Sequence, residues 1–175
     1  MSVDAAALTC RTATLEDAEL LWRWINDPET RRSSFDPAPI PWGEHVAWLE
    51  GRVGSATTRL WIFSDRERPV GQVRCEVSGD GAEIHIAVAP ECRAQGYGKA
   101  MLAHGVRLAR EAVGGQVRLR ARVLDWNVPS LKLFRECGFR EAGAAERPGG
   151  ERAIIFECAE TPPVAANADG HRGTR

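Results

Sequence analysis

Apolar residues recur along this chain with two periods, and the changes of period mark its elements. Val117, Leu119, Ala121 and Val123 alternate with Arg118, Arg120 and Arg122, the signature of a strand with one apolar face. Ile84, Ile86 and Val88 alternate with Glu83, His85 and Ala87 in the same way. Elsewhere the period is helical. Ala18, Leu21, Trp22 and Ile25 form one stripe, and Leu102, Val106, Ala109 and Val113 form another.

Turn and cap residues divide the rest. A first strand is expected over Leu8–Ala13. Thr14-Leu15-Glu16-Asp17 resembles a capping box and starts a helix that runs to about Asn26, ahead of Pro28. Residues 27–41 hold four prolines and read as a loop. Trp42–Leu49 reads as a short helix with His45, Val46 and Leu49 near one face. Leu60–Ser64 and Val70–Val77 read as a hairpin around Asp65–Pro69, and Ser78–Gly81 turns into a strand at 82–89. A long helix is expected over Gly98–Val113 and a strand over 117–124. Asn127 or Ser130 suits the cap of the next helix, Pro129 its first turn and Gly138 its end. Phe139–Ala144 and Arg152–Cys158 close the chain as a hairpin around Pro148-Gly149-Gly150. The order predicts an α/β fold with a mixed sheet and helices on both faces. One domain spans 1–159, and the small polar residues 160–175 read as a disordered tail.

Composition narrows the class. The chain has 175 residues and a formal net charge of -1, so it carries no nucleic-acid signature. Its basic residues are almost all Arg; only Lys99 and Lys132 are lysines. Cys10, Cys75, Cys92, Cys137 and Cys158 form no CxxC pair, which predicts neither disulfides nor a metal site and fits a reducing cytoplasm. No apolar run is long enough to span a membrane and no signal peptide is evident.

The chemistry concentrates at 83–100. A strand enters a turn at Pro90 and passes through Arg93-Ala94-Gln95-Gly96-Tyr97-Gly98 into a helix. Glycines there let main-chain N–H groups approach an anion, and the helix N-terminus adds its positive end. A P-loop is excluded: Arg93 stands where its first Gly belongs and Ala100 where its hydroxyl belongs. A dinucleotide fingerprint lacks its third Gly, replaced by Met101. Period 2 puts Glu83 and His85 on one face with Ala87, away from the apolar Ile84, Ile86 and Val88. A polar pair there suits the removal of a proton, and His85 titrates near neutral pH.

Arg93-x-x-Gly96-x-Gly98 resembles the pyrophosphate motif of the GCN5-related N-acetyltransferases. Asn127, Ser130, Gly138 and Phe139 resemble that family's second hallmark, and the resemblance covers most of residues 8–158. It implies a mostly antiparallel sheet of six to seven strands with one splayed strand pair. It implies acetyl coenzyme A as cosubstrate, with no metal. Arg93, Ala94, Gln95, Gly96, Tyr97, Gly98 and Lys99 would hold the pyrophosphate; Ile86, Ala87 and Val88 the pantetheine; Asn127 and Ser130 the second contact. An amine attacks the thioester, Glu83 or His85 is the base, and an amide near Val88 faces the oxyanion. The family's usual tyrosine acid is Phe134 here. The single tyrosine, Tyr97, is expected to be stacked or exposed in the loop, which leaves Ser130, water or solvent as the acid.

The acceptor is expected to be the primary amine of a small molecule. Asn26-Asp27-Pro28-x-x-Arg31, with Ile40, His45 and Trp48, is similar to acetyltransferases of 4-amino sugars on a nucleotide diphosphate, as in the pseudaminic acid pathway. That likeness implies Asn26 and Arg31 as polar clamps, His45 on the sugar and Trp42 or Trp48 as a stacking surface. Arg118, Arg120 and Arg122, with Arg74, either face a diphosphate or form a salt-bridged face. Two alternatives stand beside this reading: a protein N-terminal or lysine acetyltransferase, and a non-catalytic acyl-coenzyme A binding domain. No nucleic acid or membrane partner is expected, and a homodimer is compatible with the pattern.

Overall fold

The computed structural model describes residue 3 and residues 8–79, 81–113 and 117–158. The expected tail at 160–175 lies outside them. Seven strands form one sheet in the order β1-β2-β3-β4-β5-β7-β6. They are β1 (Leu8–Thr12), β2 (Thr58–Asp65), β3 (Arg68–Ser78), β4 (Gly81–Val88), β5 (Arg118–Leu124), β6 (Arg140–Glu146) and β7 (Arg152–Cys158). All neighbours are antiparallel except β4 and β5. The helices are α1 (Ala18–Ile25), α2 (Pro28–Ser33), α3 (Trp42–Arg52), α4 (Tyr97–Val113) and α5 (Val128–Glu136).

Local chemistry starts the first helix. The Asp17 carboxylate accepts the Thr14 N–H at 2.8 Å and two Arg11 hydrogen bonds at 2.8 and 2.6 Å. Arg11 beside it holds its carboxyl below the ordinary range. Residues 27–41 are not wholly loop. Asp27 accepts from Thr30 N at 3.1 Å and Pro28 takes the first turn, so a six-residue helix forms. The four prolines of the segment had hidden that cap. In α3 the buried positions are His45 and Leu49, while Val46 is only partly buried.

The two faces of the sheet differ in chemistry. On one, α4 packs over β2 and β3: the Phe63 and His104 rings meet edge to face at 5.4 Å. A Cβ on Gly105 would stand 2.7 Å from Val73, so glycine is what lets α4 lie this close. On the other face α3 lies near β3, with Trp48 beneath the Arg74 guanidinium at 5.2 Å. Phe134 of α5 packs between Phe139 and Phe156, with ring centroids 5.0 and 5.8 Å away.

One feature of the topology positions the site. Among the described residues β4 and β5 pair only over Gly81↔Arg118, Ala82↔Leu119 and Glu83↔Arg120. Beyond Glu83 the strands part. β4 goes on with β3 as far as Gly71↔Val88, while β5 goes on with β7 as far as Leu124↔Ala153. The edge of Ile86–Val88 that faces β5 is therefore left open.

Candidate active site

The open edge leads straight into the glycine loop. Pro90–Cys92 makes one 3-10 turn, Ala94 and Gly96 take positive φ (57° and 88°), and α4 begins at Tyr97. Two left-handed residues this close fold the main chain into a concave turn at a helix N-terminus, a geometry that receives phosphate oxygens. At Gly98 a Cβ would make ordinary contacts with Leu133 at 3.4 Å and Val88 at 3.6 Å, so the space there admits a methyl group and little more. These features fit a pyrophosphate bound by main chain.

The polar face of β4 meets a polar face of β3. Register pairs Gln72 with Ala87, Arg74 with His85 and Glu76 with Glu83. His85 Nε2 stands 3.6 Å from the Glu76 carboxylate and 3.9 Å from that of Glu83. Burial pushes the His85 imidazole below its ordinary value, against the pull of Glu76, so it is neutral at neutral pH. Glu76 is brought down to about 2, by His85 first and then by Arg74 and Arg52. Glu83 receives two hydrogen bonds from Arg122, at 2.7 and 3.0 Å. The Arg122 guanidinium also lies 4.3 Å over the Phe35 ring. Glu83 and His85, expected on one face, are thus brought together with Gln72, Arg74 and Glu76.

A loop bounds this face. Arg31 reaches from α2 to the carbonyls of Ile25, Asp36 (3.1 Å) and Ala38 (3.2 Å), and to Ser34 Oγ (2.8 Å). Arg147 reaches the same loop from the turn between β6 and β7, through the carbonyls of Arg32 and Ser34 at 2.9 and 2.8 Å. Phe35 sits between these two anchors.

The other expected site residues divide into two groups. Gln95, Lys99, Asn127 and Ser130 lie at the loop and at the start of α5. Gln95 donates to Glu91 O at 2.9 Å, Lys99 pairs with Glu136 at 3.1 Å, and Asn127 caps α5 by accepting from Ser130 N at 3.3 Å. Arg93 leaves the loop and joins Asp27 (2.5 Å), Thr30 (2.9 Å) and Glu29 (3.0 Å) at the start of α2. Tyr97 is neither stacked nor exposed: it is buried, and its hydroxyl donates to Asp65 at 2.6 Å. Phe134 is enclosed by aromatic rings and belongs to the core.

Three of the four expected acceptor residues spend their polar atoms on the protein itself. Asn26 uses its side chain on the main chain of Ile40, donating at 3.0 Å and accepting at 2.8 Å. Arg31 is buried with its donors committed to the loop. His45 is 3% exposed, bonds the Ala18 carbonyl at 2.9 Å and stacks on Trp48 at 5.9 Å. These three hold the wall together and offer little to a ligand. Trp48 alone reaches the polar face, through Arg74. The arginine row is salt-bridged at Arg122–Glu83 and Arg120–Glu157 (2.8 Å).

Gln72 and Glu76 do not stand out in the sequence as site residues. Their signal was present, because Gln72, Arg74 and Glu76 alternate with Val73, Cys75 and Val77. Only the register shows that this polar face continues the polar face of β4. Among the described residues no group of three or more His, Cys, Asp or Glu is placed to hold a metal ion. Among them, too, no helix is long and apolar enough to cross a membrane.

Residues 7–140 match the family model described as acetyltransferase (GNAT) domain. The chain belongs to the GNAT acetyltransferase family. Two sequence relatives are similar to it. An uncharacterized protein of Methanocaldococcus jannaschii is 30% identical over 84% of this chain, which spans only 30% of that protein. YwnH of Bacillus subtilis, provisionally named a phosphinothricin acetyltransferase, is 28% identical over 78% of this chain and 86% of its own length. Among solved structures, spermidine N-acetyltransferase of Vibrio cholerae with coenzyme A and spermine superposes with a TM-score of 0.76. It is 18% identical over 87% of this chain and 94% of its own. AAC(6')-Ib with ribostamycin and coenzyme A gives 0.74, at 18% identity over 87% and 93%. At that identity these structures establish the shared GNAT fold.

Proposed function

We propose that this GNAT protein transfers the acetyl group of acetyl coenzyme A to the primary amine of a small molecule. The observation that carries the reading is a juxtaposition on β4. The strand opens its edge beyond Glu83, ends at the glycine loop, and bears His85 just before the open stretch. Acetyl coenzyme A supplies the acyl group when bound. The open edge of Ile86–Val88 and the amides of residues 94–98 would hold it.

The chain's own groups do the proton work. An amine must be neutral to form the new C–N bond as the C–S bond breaks. Neutral His85 takes that proton, and the charged Glu76 beside it stabilises the resulting imidazolium. Glu83, held by Arg122, positions His85 rather than acting as base. The departing thiolate has an ordinary pKa of about 8.5 and needs little help; Ser130, at the first turn of α5, is the hydroxyl of the hallmark that could supply it.

The loop held by Arg31 and Arg147 bounds the face and favours a small acceptor over an extended peptide. The solved neighbours with spermine and ribostamycin are named for small amines, which agrees with this class. Amino sugars and sugar nucleotides stay within it, but Asn26, Arg31 and His45 no longer speak for them. The test is thiol release from acetyl coenzyme A with a panel of primary amines, with the product identified by mass. Binding of acetyl coenzyme A without acetylation of any amine overturns the reading.

A further inference from the structure

Three buried polar atoms with no hydrogen-bond partner among the described residues lie on the paired strands β3 and β4: Gln72 Oε1, Arg74 Nε and His85 Nε2. Gln72 is 7% exposed. Buried groups of this kind are normally satisfied, and each one left alone costs stability. Their grouping on one face, beside the open edge of β4, marks a surface built to be completed by a ligand. Each atom states what it lacks. Arg74 Nε–H has only the Glu76 carboxylate near it, at 3.6 Å, and can take a closer oxygen acceptor; Gln72 Oε1 needs an N–H or O–H donor; and the neutral His85 ring keeps one nitrogen able to receive a proton.

Charge narrows the ligand further. Arg52, Arg74 and Arg122 face two carboxylates, Glu76 and Glu83, on this surface. With His85 neutral, one positive charge is left over. Trp48 shields the Arg74 guanidinium from below, so that charge is held in a low-dielectric setting. A polycation would meet repulsion here. A neutral amine would leave Arg74 Nε with no acceptor nearer than the Glu76 carboxylate at 3.6 Å.

We infer that the acceptor is an amine carrying its own anionic oxygen group, an amino carboxylate or an aminophosphonate, read by Arg74 and Gln72 beside His85. This rests on the acetyltransferase reading above. The Arg74 guanidinium takes the anion, and the Gln72 amide carbonyl accepts from the amine. The pairing brings the nitrogen to His85 at the start of the open stretch of β4.

The wild-type protein is the first test. kcat/KM is measured by thiol release for L-α-amino acids against their carboxamides and for 2-aminoethylphosphonate against ethanolamine, with spermidine and glucosamine alongside. The anionic member of each productive pair is expected to win by about tenfold or more. The carboxylate and phosphonate arms tell the two anions apart. Arg74→Gln should raise KM for the anionic acceptor by roughly 10–150-fold and leave KM for acetyl coenzyme A within about twofold. Arg74→Lys should recover only part, because a point charge does not replace the guanidinium fork. Gln72→Leu should raise the acceptor KM without changing the preference for the anion. Spermidine or neutral amines turned over as well as their anionic partners would overturn the inference and leave the acetyltransferase standing. An anionic preference unchanged in folded Arg74→Gln would remove the Arg74 assignment. Acetyl coenzyme A binding with no amine acetylated would overturn both.

Discussion

The Arg93 guanidinium stands 2.5 Å from Asp27 Oδ2 and so joins the glycine loop to the N-cap of α2. Asp27 also accepts from Thr30 N, so one carboxylate closes α2 and fastens the loop. Asp27→Ala should cost about 1–2 kcal/mol from the cap alone. In a double-mutant cycle with Arg93→Ala, a coupling on the order of 1 kcal/mol is expected. Urea denaturation of the four proteins measures it, and additive losses would show that the ion pair contributes nothing. Acetyl coenzyme A affinity should fall in Asp27→Ala as well, although Asp27 lies outside the loop.

The two glycines of the motif should respond differently. Gly96 has φ 88°, a conformation that β-branched residues scarcely adopt. Gly96→Val should abolish acetyl coenzyme A binding in calorimetric titration. At Gly98 a Cβ would meet Leu133 and Val88 at ordinary contact distances of 3.4 and 3.6 Å. Gly98→Ala should therefore retain most of the affinity, while the bulk of Gly98→Val should not. Equal tolerance at both positions would contradict the turn geometry.

The base predicts a pH profile. The folded His85 pKa lies below its ordinary 6.5, so kcat/KM should be flat near neutrality and fall as pH drops through that lowered value. His85→Ala should lower kcat by about 10²–10⁴-fold and remove this acid limb. Glu83→Gln should cost less and shift the limb. Stability has the same sign. Both His85 and Glu76 hold protons less well when folded, so the native state loses ground as pH falls, first below 6.5 and then from 4.5 toward about 2. Melting curves of wild type and Glu76→Gln should differ above pH 4.5 and converge toward pH 2.

Arg31 serves the wall. Arg31→Ala frees three carbonyls and should cost about 2–3 kcal/mol, read as a fall in Tm. Arg31→Lys should not rescue it, because one ammonium cannot span the same partners. The KM for acetyl coenzyme A should hardly move. A stable Arg31→Ala with a raised acceptor KM would instead restore the clamp expected from the sequence.

Gly71 stands on β3 where there is no room for a side chain between Ala87 of β4 and Met101 of α4. A Cβ there would stand 2.4 Å from the Ala87 carbonyl oxygen and 2.5 Å from Met101. Gly71→Ala must push main chain as well as side chain, so its cost should reach or exceed the 1–3 kcal/mol usual for overpacking. Gly105→Ala meets only the Val73 side chain and should cost about 1–3 kcal/mol. Because Ala87 lies on the open stretch of β4, Gly71→Ala should also raise KM for acetyl coenzyme A.

Local signals read well from the sequence. Alternation placed β4 and β5 and set Glu83 and His85 on one face, since side-chain direction in a strand has period 2. Arg93-x-x-Gly96-x-Gly98 placed the loop and the start of α4, because positive φ and a helix N-terminus are properties of a few adjacent residues. Even the cap of α2 was written locally, in Asp27-Pro28, although four prolines obscured it.

What the sequence by itself determined was therefore the order of the strands and of every helix but α2, the glycine turn and the family. What only the tertiary structure decided was where long polar side chains spend their hydrogen bonds. Asn26, Arg31 and His45 look like ligand-binding residues in a string of letters, yet main-chain carbonyls and amides brought close by folding claim them. Gln72, Arg74 and Glu76 look like an ordinary strand face until register sets them against Ala87, His85 and Glu83. The reason is physical. Backbone conformation depends on near neighbours, whereas a buried donor or charge takes whatever partner the whole chain delivers within about 3 Å.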